Sequence, residues 1–395
     1  MKILFLDQSG KLGGAELCLA DIAQHFGQTS LVGVFAEGTF PDYLRQLPVP
    51  VKVLANQALQ VQKASGLLAG LKSLNRLLPL VAGVTQLSKS YDLIYANTQK
   101  ALVVGAIASF LSGRPLVYHL HDIVSPDHFS ATNRRIIVTL ANRAALVIAN
   151  SQASRDALVQ AGGRADRIHV VYNGFRLETY ANGDDMGSAQ ASQRLRQTLT
   201  SALPNHPSPF IVGHFSRLSP WKGQHVLLEA LRHCPDHVVA ILVGDALFGE
   251  QDYAQQLHQQ VEALKLHHRV QFLGFRSDIP QLMAACDLVA HTSTAPEPFG
   301  RVIVEAMLCG TPVVAAAAGG AVELVEHGIT GWLSPPGDAQ KLADIIHFVC
   351  TQPNGSGAIA QTAQRQAQER FNLIHTNQQI WNLLYQIKPS ASLNH

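Results

Sequence analysis

The stretch Glu297-Pro298-Phe299-Gly300-Arg301-Val302-Ile303-Val304-Glu305 sets two carboxylates around a Phe-Gly turn, the second inside an apolar run that continues through Ala306, Met307 and Leu308. The run reads as a helix, and a strand candidate, Pro312–Ala316, follows it. A carboxylate in such a run loses its hydration unless something pairs with it. Basic residues nearby are few, so a ligand with hydroxyl groups is a fitting partner. Each carboxylate oxygen can accept from one hydroxyl of a vicinal diol, and sugars and riboses supply such diols. The plain alternative makes Glu305 a solvent-facing helix residue and Glu297 a loop charge.

Working outward, the same rhythm of short apolar strand and longer helix fills both halves of the chain. In the first half the strand candidates are Lys2–Leu6, Ser30–Ala36, Val51–Leu54, Leu93–Ala96, Leu116–His119, Ala145–Ala149 and Ile168–Tyr172. In the second they are Phe210–Phe215, Val238–Val243, Val270–Leu273, Leu288–His291, Pro312–Ala316 and Gly331–Leu333. Such alternation predicts parallel α/β sheets. Residues 179–208 are rich in Ser, Gln, Asn and Pro and read as a connector containing a polar helix. The expected layout is therefore a first domain over 1–178, a connector over 179–208, a second domain over 209–370 and a terminal helical segment over 371–395.

At 395 residues, two domains are the sensible expectation. A hydrophobic content of 47% with 15% charged residues describes a well-buried globular enzyme. The formal net charge of +2 excludes nothing, but its distribution is uneven: Arg45, Lys52, Lys63, Lys72, Arg76 and Lys89 lie between Tyr43 and Tyr91 with no acid among them. That segment suits an anionic partner or a solvated basic face equally. The five cysteines (Cys18, Cys234, Cys286, Cys309, Cys350) stand singly, which predicts reduced thiols and a cytoplasmic protein. No apolar run approaches the ~18–20 residues of a membrane span.

Gly213-His214-Phe215-Ser216-Arg217-Leu218-Ser219-Pro220-Trp221-Lys222-Gly223 places Arg217 and Lys222 just past a strand and before a helix. Parallel sheets bind ligands at that edge. A bidentate Arg and a mobile Lys together suit two phosphates. Gly13-Gly14-Ala15-Glu16, after the first strand, reads as an anion seat at a helix N-terminus. It is not the dinucleotide fingerprint Gly-x-Gly-x-x-Gly, which makes a dehydrogenase a distant reading. No Asp-x-Asp stands at a strand end, and Asp184-Asp185 reads as a solvated turn. In His119-Leu120-His121-Asp122, strand alternation separates His119 from Asp122 and only two imidazoles occur, so no metal is expected. Asn97-Thr98 and Asn150-Ser151 end strands and read as helix caps. Asn173-Gly174 reads as a turn needing a positive φ. Leu67, Leu71, Leu74, Leu78 and Val81, widened by Leu68 and Leu77, read as the packed stripe of a helix kinked near Pro79.

Glu297-Pro298-Phe299-Gly300, seven residues and Glu305, then Cys309-Gly310-Thr311-Pro312-Val313-Val314 and Gly319-Gly320, resemble the signature of the retaining glycosyltransferases of family 4. The resemblance implies the GT-B architecture: two facing Rossmann-like domains with parallel sheets, a cleft between them, and a C-terminal helix crossing back to the first domain. It implies a UDP-sugar donor, glucose being the first guess, and no metal or other cofactor. By resemblance Glu297 with Phe299 and Gly300 binds the sugar hydroxyls, Arg301 lies beside the donor, and Glu305 holds the ribose. Arg217 and Lys222 bear the diphosphate, Gly13 and Gly14 approach it, and His121 bonds a sugar hydroxyl, with Asp122 orienting its ring or capping the next turn. Phe275 or Arg276 stacks on the base. The implied partners are a glycan or lipid-linked acceptor and, through the basic segment, an anionic inner membrane face; no nucleic acid is expected. A nucleotide-sugar 2-epimerase of the same architecture and a non-catalytic nucleotide-sugar-binding module are the competing readings.

Overall fold

The computed structural model describes residues 1–54, 67–180, 186–201, 208–247 and 249–387, the side chains of 67–76 and 186–189 excepted. Asp184-Asp185 and Lys63 lie outside the described residues. Two compact units emerge, one of 1–174 with 373–395 and one of 175–372.

The first unit holds β1 (Ile3–Asp7), β2 (Leu31–Val34), β3 (Val51–Val53), β4 (Leu93–Ala96), β5 (Leu116–Leu120), β6 (Leu146–Ala149) and β7 (Ile168–Val170). Their order is β3-β2-β1-β4-β5-β6-β7, all parallel. β1, β4, β5 and β6 are buried along their whole length, which explains their mostly apolar composition, Asp7 and His119 excepted. The C-terminal helix Leu373–Ile387 belongs to this unit, with Ile380 and Leu384 in the core beside Phe5 and Ile22, and Trp381 stacked on Phe26 at 5.5 Å.

The second unit holds β8 (Phe210–Phe215), β9 (Val238–Val243), β10 (Val270–Gly274), β11 (Leu288–His291), β12 (Val313–Ala316) and β13 (Trp332–Ser334) in the parallel order β10-β9-β8-β11-β12-β13. In each sheet the strand order reverses beside the first strand, between β1 and β4 and between β8 and β11. Such a reversal splays the following loops and opens a crevice at the carboxyl edge.

Four expectations change. Residues 186–201 are not a free connector: the helix Met186–Ser201 packs on Ile279–Ala285 within the second unit. There Arg196 binds Asp287 at 2.9 Å and donates to the Ala285 and Pro209 carbonyls. Gly174 does not adopt a positive φ; a Cβ there would meet Leu373 Cα at 2.7 Å and Thr376 Cβ at 2.8 Å, so the requirement is close approach of the terminal helix. In the helix Leu67–Ser88, which carries Pro79 within it, Leu78 is 60% exposed while Leu80, Val81 and Val84 are buried, so the packed stripe runs off Leu78. In the basic segment Arg45 is already bonded to Glu37 and Asp42 from the preceding residues. No described helix is long and apolar enough to cross a membrane.

Candidate active site

β8 ends at Phe215, and the loop that leaves it carries Arg217 and, in the short turn Pro220–Lys222, Trp221 and Lys222. Gly223 follows at φ 73° with its Cα against the next loop; a Cβ would sit 1.9 Å from the Thr292 carbonyl oxygen. Only glycine lets the chain turn here and start the helix Gln224–Leu231. Thr292, just past β11, closes the contact by donating to the Lys222 and Gly223 carbonyls. His214 Nε2 lies 2.9 Å from the Thr292 hydroxyl, and burial, then the neighbouring His291, lowers the His214 pKa to about 3. The two loops of the switch point are thus fastened to each other.

Across this seam lies Glu297, buried. Lys222 Nζ donates to its Oε2 at 2.8 Å and its Oε1 at 3.1 Å. His291 Nε2 lies 3.0 Å from Oε2, and Ser293 Oγ donates to Oε2 at 2.9 Å. Burial alone would push the Glu297 carboxyl up, but the Lys222 charge and the hydrogen bonds from His291 and Lys222 outweigh it and hold it below the usual carboxylate range. Trp221 sits under both cations, its ring centre 3.9 Å from Lys222 Nζ and 5.9 Å from Arg217 Cζ. The structure therefore brings Arg217, Lys222 and Glu297 into one cluster, with Trp221 as their platform.

The segment after Glu297 is held by Gly319 and Gly320. Gly319 has φ 64°, and a Cβ there would lie 2.3 Å from the Glu297 carbonyl oxygen, to which Gly320 N donates at 2.6 Å. Phe299 is buried, its ring 6.4 Å from Phe175 and 5.9 Å from Phe371. Gly300 (φ 99°) then caps the helix Arg301–Leu308. Glu305 has a partner that the sequence reading does not give it: Arg301, one turn earlier, lies 3.2 Å from Oε1. The Arg301 guanidinium also covers the Phe175 ring at 4.5 Å. After β10, Arg276 makes two bonds to Asp278, at 2.8 and 2.6 Å, while Phe275 is 71% exposed.

At the first unit's switch point Gly13 caps the helix Gly14–Phe26, and a Cβ on it would meet Glu16 Oε2 at 2.7 Å. Buried Asp7, the last residue of β1, accepts from Asn97 Nδ2 at 2.8 Å and from Ser9 N at 2.7 Å. The same Asn97 amide reaches the Ala15 carbonyl at 3.1 Å, and its oxygen lies 2.9 Å from His121 Nε2. Asn97 is therefore a tie between Asp7, the helix start and His121, not a cap. Ser151 does cap, accepting from Ser154 N. Burial raises Asp7 to about 6; burial and then the Asp7 charge raise Glu16 to about 8. Asp122, also raised by burial, accepts from Gln99 Nε2 at 3.1 Å.

To the two imidazoles visible in the sequence here the fold adds a thiol: Cys18, His119 and His121 bring one donor atom each within 4.8 Å of one another. Each is engaged within the protein, His119 Nδ1 with Tyr95 Oη at 2.8 Å, His121 with Asn97, and Cys18 Sγ with Asn173 Oδ1 at 3.3 Å.

Residues 12–179 match the family Glycosyltransferase Family 4, and residues 196–367 match Glycosyl transferases group 1. The chain is 59% identical to Anabaena HepE, solved in complex with UDP-glucose, with a TM-score of 0.89 over 98% of this chain and 100% of that chain. It is 29% identical over 366 residues to the D-inositol 3-phosphate glycosyltransferase of Mycobacterium sp. (strain JLS), covering 86% of this chain and 78% of that one. The sucrose-phosphate synthase of Thermosynechococcus elongatus, 21% identical with a TM-score of 0.80 over 98% of both chains, shares the fold.

Proposed function

This chain belongs to glycosyltransferase family 4 and has the GT-B fold, and on that footing we propose that it transfers glucose from UDP-glucose, with retention and without a metal, to a hydroxyl of a glycan or lipid-linked acceptor. The observation that carries this reading is the cluster of Arg217 and Lys222 on Trp221 beside Glu297. Two cations at a switch point stabilise the negative charge that develops on a departing diphosphate, the work a divalent ion does elsewhere. Glu297 accepts from the sugar hydroxyls. Glu305, with one oxygen on Arg301, offers the other to the ribose diol, and Phe275 stacks on uracil. The likeness to a protein solved with UDP-glucose supports the choice of donor.

The carboxylate of the cluster is not free to act as a nucleophile, since Glu297 is bonded to Lys222, His291 and Ser293. Front-face substitution follows. The C1–phosphate bond breaks, the acceptor oxygen bonds to C1 on the same face, and the acceptor proton passes to the leaving phosphate oxygen. We place the reaction in envelope or extracellular polysaccharide assembly at the cytoplasmic membrane face.

Turnover of UDP-glucose followed by proton NMR in the presence of EDTA tests the reading. The expected result is release of UDP with an α-configured product, undiminished by the chelator. A β product overturns retention, and loss of turnover on chelation overturns metal independence. Conversion to a second UDP-sugar without acceptor identifies an epimerase, and binding without either reaction identifies a non-catalytic module.

A further inference from the structure

We propose that His291 and Ser293 are positioning residues for the carboxylate that reads the donor sugar: they fix Glu297 Oε2, so that Oε1 is the oxygen presented to the sugar when Lys222 turns to the diphosphate. The inference rests on the UDP-glucose reading above.

Its first support is how the hydrogen bonds are shared. Oε2 takes three donors, Lys222 Nζ at 2.8 Å, Ser293 Oγ at 2.9 Å and His291 Nε2 at 3.0 Å. Among the described residues Oε1 takes one, Lys222 Nζ at 3.1 Å. A carboxylate oxygen has two in-plane lone pairs, so Oε2 is saturated and Oε1 is not. The second support is the nature of the lysine. Nζ is a point charge on a flexible stem, and a diphosphate competes for it directly. Once Lys222 leaves, a buried carboxylate with no other tie would be free to follow it or to rotate. His291 and Ser293 remain, 3.1 Å from each other and both on the same oxygen.

The third support is the state of the imidazole itself. His291 is 5% exposed at the end of β11, and its Nδ1 is buried with no hydrogen-bond partner among the described residues. An unpaired buried nitrogen costs free energy, and an aliphatic side chain could fill this space without it. The ring's hydrogen bonds run from Nε2, to Glu297 and Ser293. Packing does not account for a histidine here; the hold on Glu297 does.

The test measures Kd for UDP and for UDP-glucose by calorimetry, and the rate of UDP release, in the full chain carrying S293A, H291L or H291Q, alone and with E297Q. H291L and S293A are expected to bind UDP within about twofold of wild type, because Arg217 and Lys222 are untouched. They are expected to slow UDP release about 10- to 100-fold, the worth of one or two hydrogen bonds to a charged group. H291Q, whose amide can reach where Nε2 stood, is expected to recover most of the rate. On the E297Q background H291L is expected to add less than about twofold. Equal losses of UDP and UDP-glucose affinity, or effects of H291L and E297Q that multiply in full, overturn the inference and assign His291 a merely structural part. If H291L does not fold, S293A and H291Q decide by the same readings. A wild-type protein that fails to bind UDP-glucose overturns the function reading and this inference together. A wild type that turns it over while S293A and H291L match it overturns the inference alone.

Discussion

The two parallel sheets reverse strand order at corresponding places, yet the crevices they open are electrostatic opposites. Beside β8 and β11 a buried glutamate is bonded to a lysine and held ionised. Beside β1 and β4, Asp7 and Glu16 face each other's charge in a buried setting and are pushed up to about 6 and about 8. Topology supplies the crevice in both units, but a cation within reach decides which one keeps its carboxylate charged. A diphosphate suits the second crevice. At the Gly13-Gly14 loop the carboxyl of Glu16 lies over Gly13, where a Cβ would meet its Oε2 at 2.7 Å.

The largest way to break this contrast is to remove the cation. Lys222→Ala leaves Glu297 buried with its main counter-charge gone, a change that typically costs about 3–5 kcal/mol in folding stability. It also removes a charge from the developing diphosphate, which is expected to lower UDP release about 10²- to 10³-fold. Denaturant unfolding and a UDP-release assay measure the two effects. A K222A protein as stable and as active as wild type would show that the ion pair does neither.

A finer test makes the same exchange in both crevices and reads the sign. The Glu16 carboxyl sits at about 8 in the folded protein against an ordinary 4.5. Below 4.5 both states hold the proton and nothing is lost. As pH rises from 4.5 to 8 the unfolded chain releases it while the folded chain retains it, so stability falls. Glu16→Gln removes that penalty, and the variant is expected to melt about 3 °C or more above wild type at pH 8 and level with it at pH 4. Glu297 runs the other way. Its folded pKa is depressed, so its contribution is complete above the ordinary carboxylate range and fades as pH falls. Glu297→Gln is expected to melt below wild type at pH 8, with the gap closing under acid conditions. Melting shifts of the same sign at pH 8 would remove the contrast.

What is legible in the sequence follows from range. The central strands announce themselves because a buried parallel strand is a mostly apolar run, whereas β3 and β7 carry an exposed Lys52 and His169 and are read from their place in the rhythm. Arg217 and Lys222 stand out because they lie just past a strand. The bond from Lys222 to Glu297 spans 75 residues and exists only because β8 and β11 are neighbours, which no local pattern encodes. The tie from Asn97 to Asp7 spans 90 residues and depends in the same way on β1 beside β4. Asp7 at the end of the first strand and Glu16 in the next helix are in plain view, but their mutual charge is not. Arg301 with Glu305 is different: a spacing of four on one helix is a signal readable in the sequence. The helix 186–201 passes for a connector because its composition is polar, yet Arg196 on Asp287, the buried Leu199 and the Gln271 bond to the Leu199 carbonyl anchor it.

The smallest effect sharpens the contrast instead of breaking it, because it leaves every formal charge in place. Trp221 presents its ring to Lys222 Nζ at 3.9 Å and to Arg217 Cζ at 5.9 Å. A cation on an aromatic face gains about 0.5–2 kcal/mol, depending on how far it is withdrawn from water. Trp221→Leu is therefore expected to weaken UDP binding roughly 2- to 30-fold by calorimetry. Trp221→Phe, which retains a face, should fall between that variant and wild type. The melting difference that Glu16→Gln produces should be unchanged when Trp221→Leu is also present, because that crevice lies in the other unit. If W221L bound UDP as wild type does, the aromatic ring would be packing and not a platform for the cations.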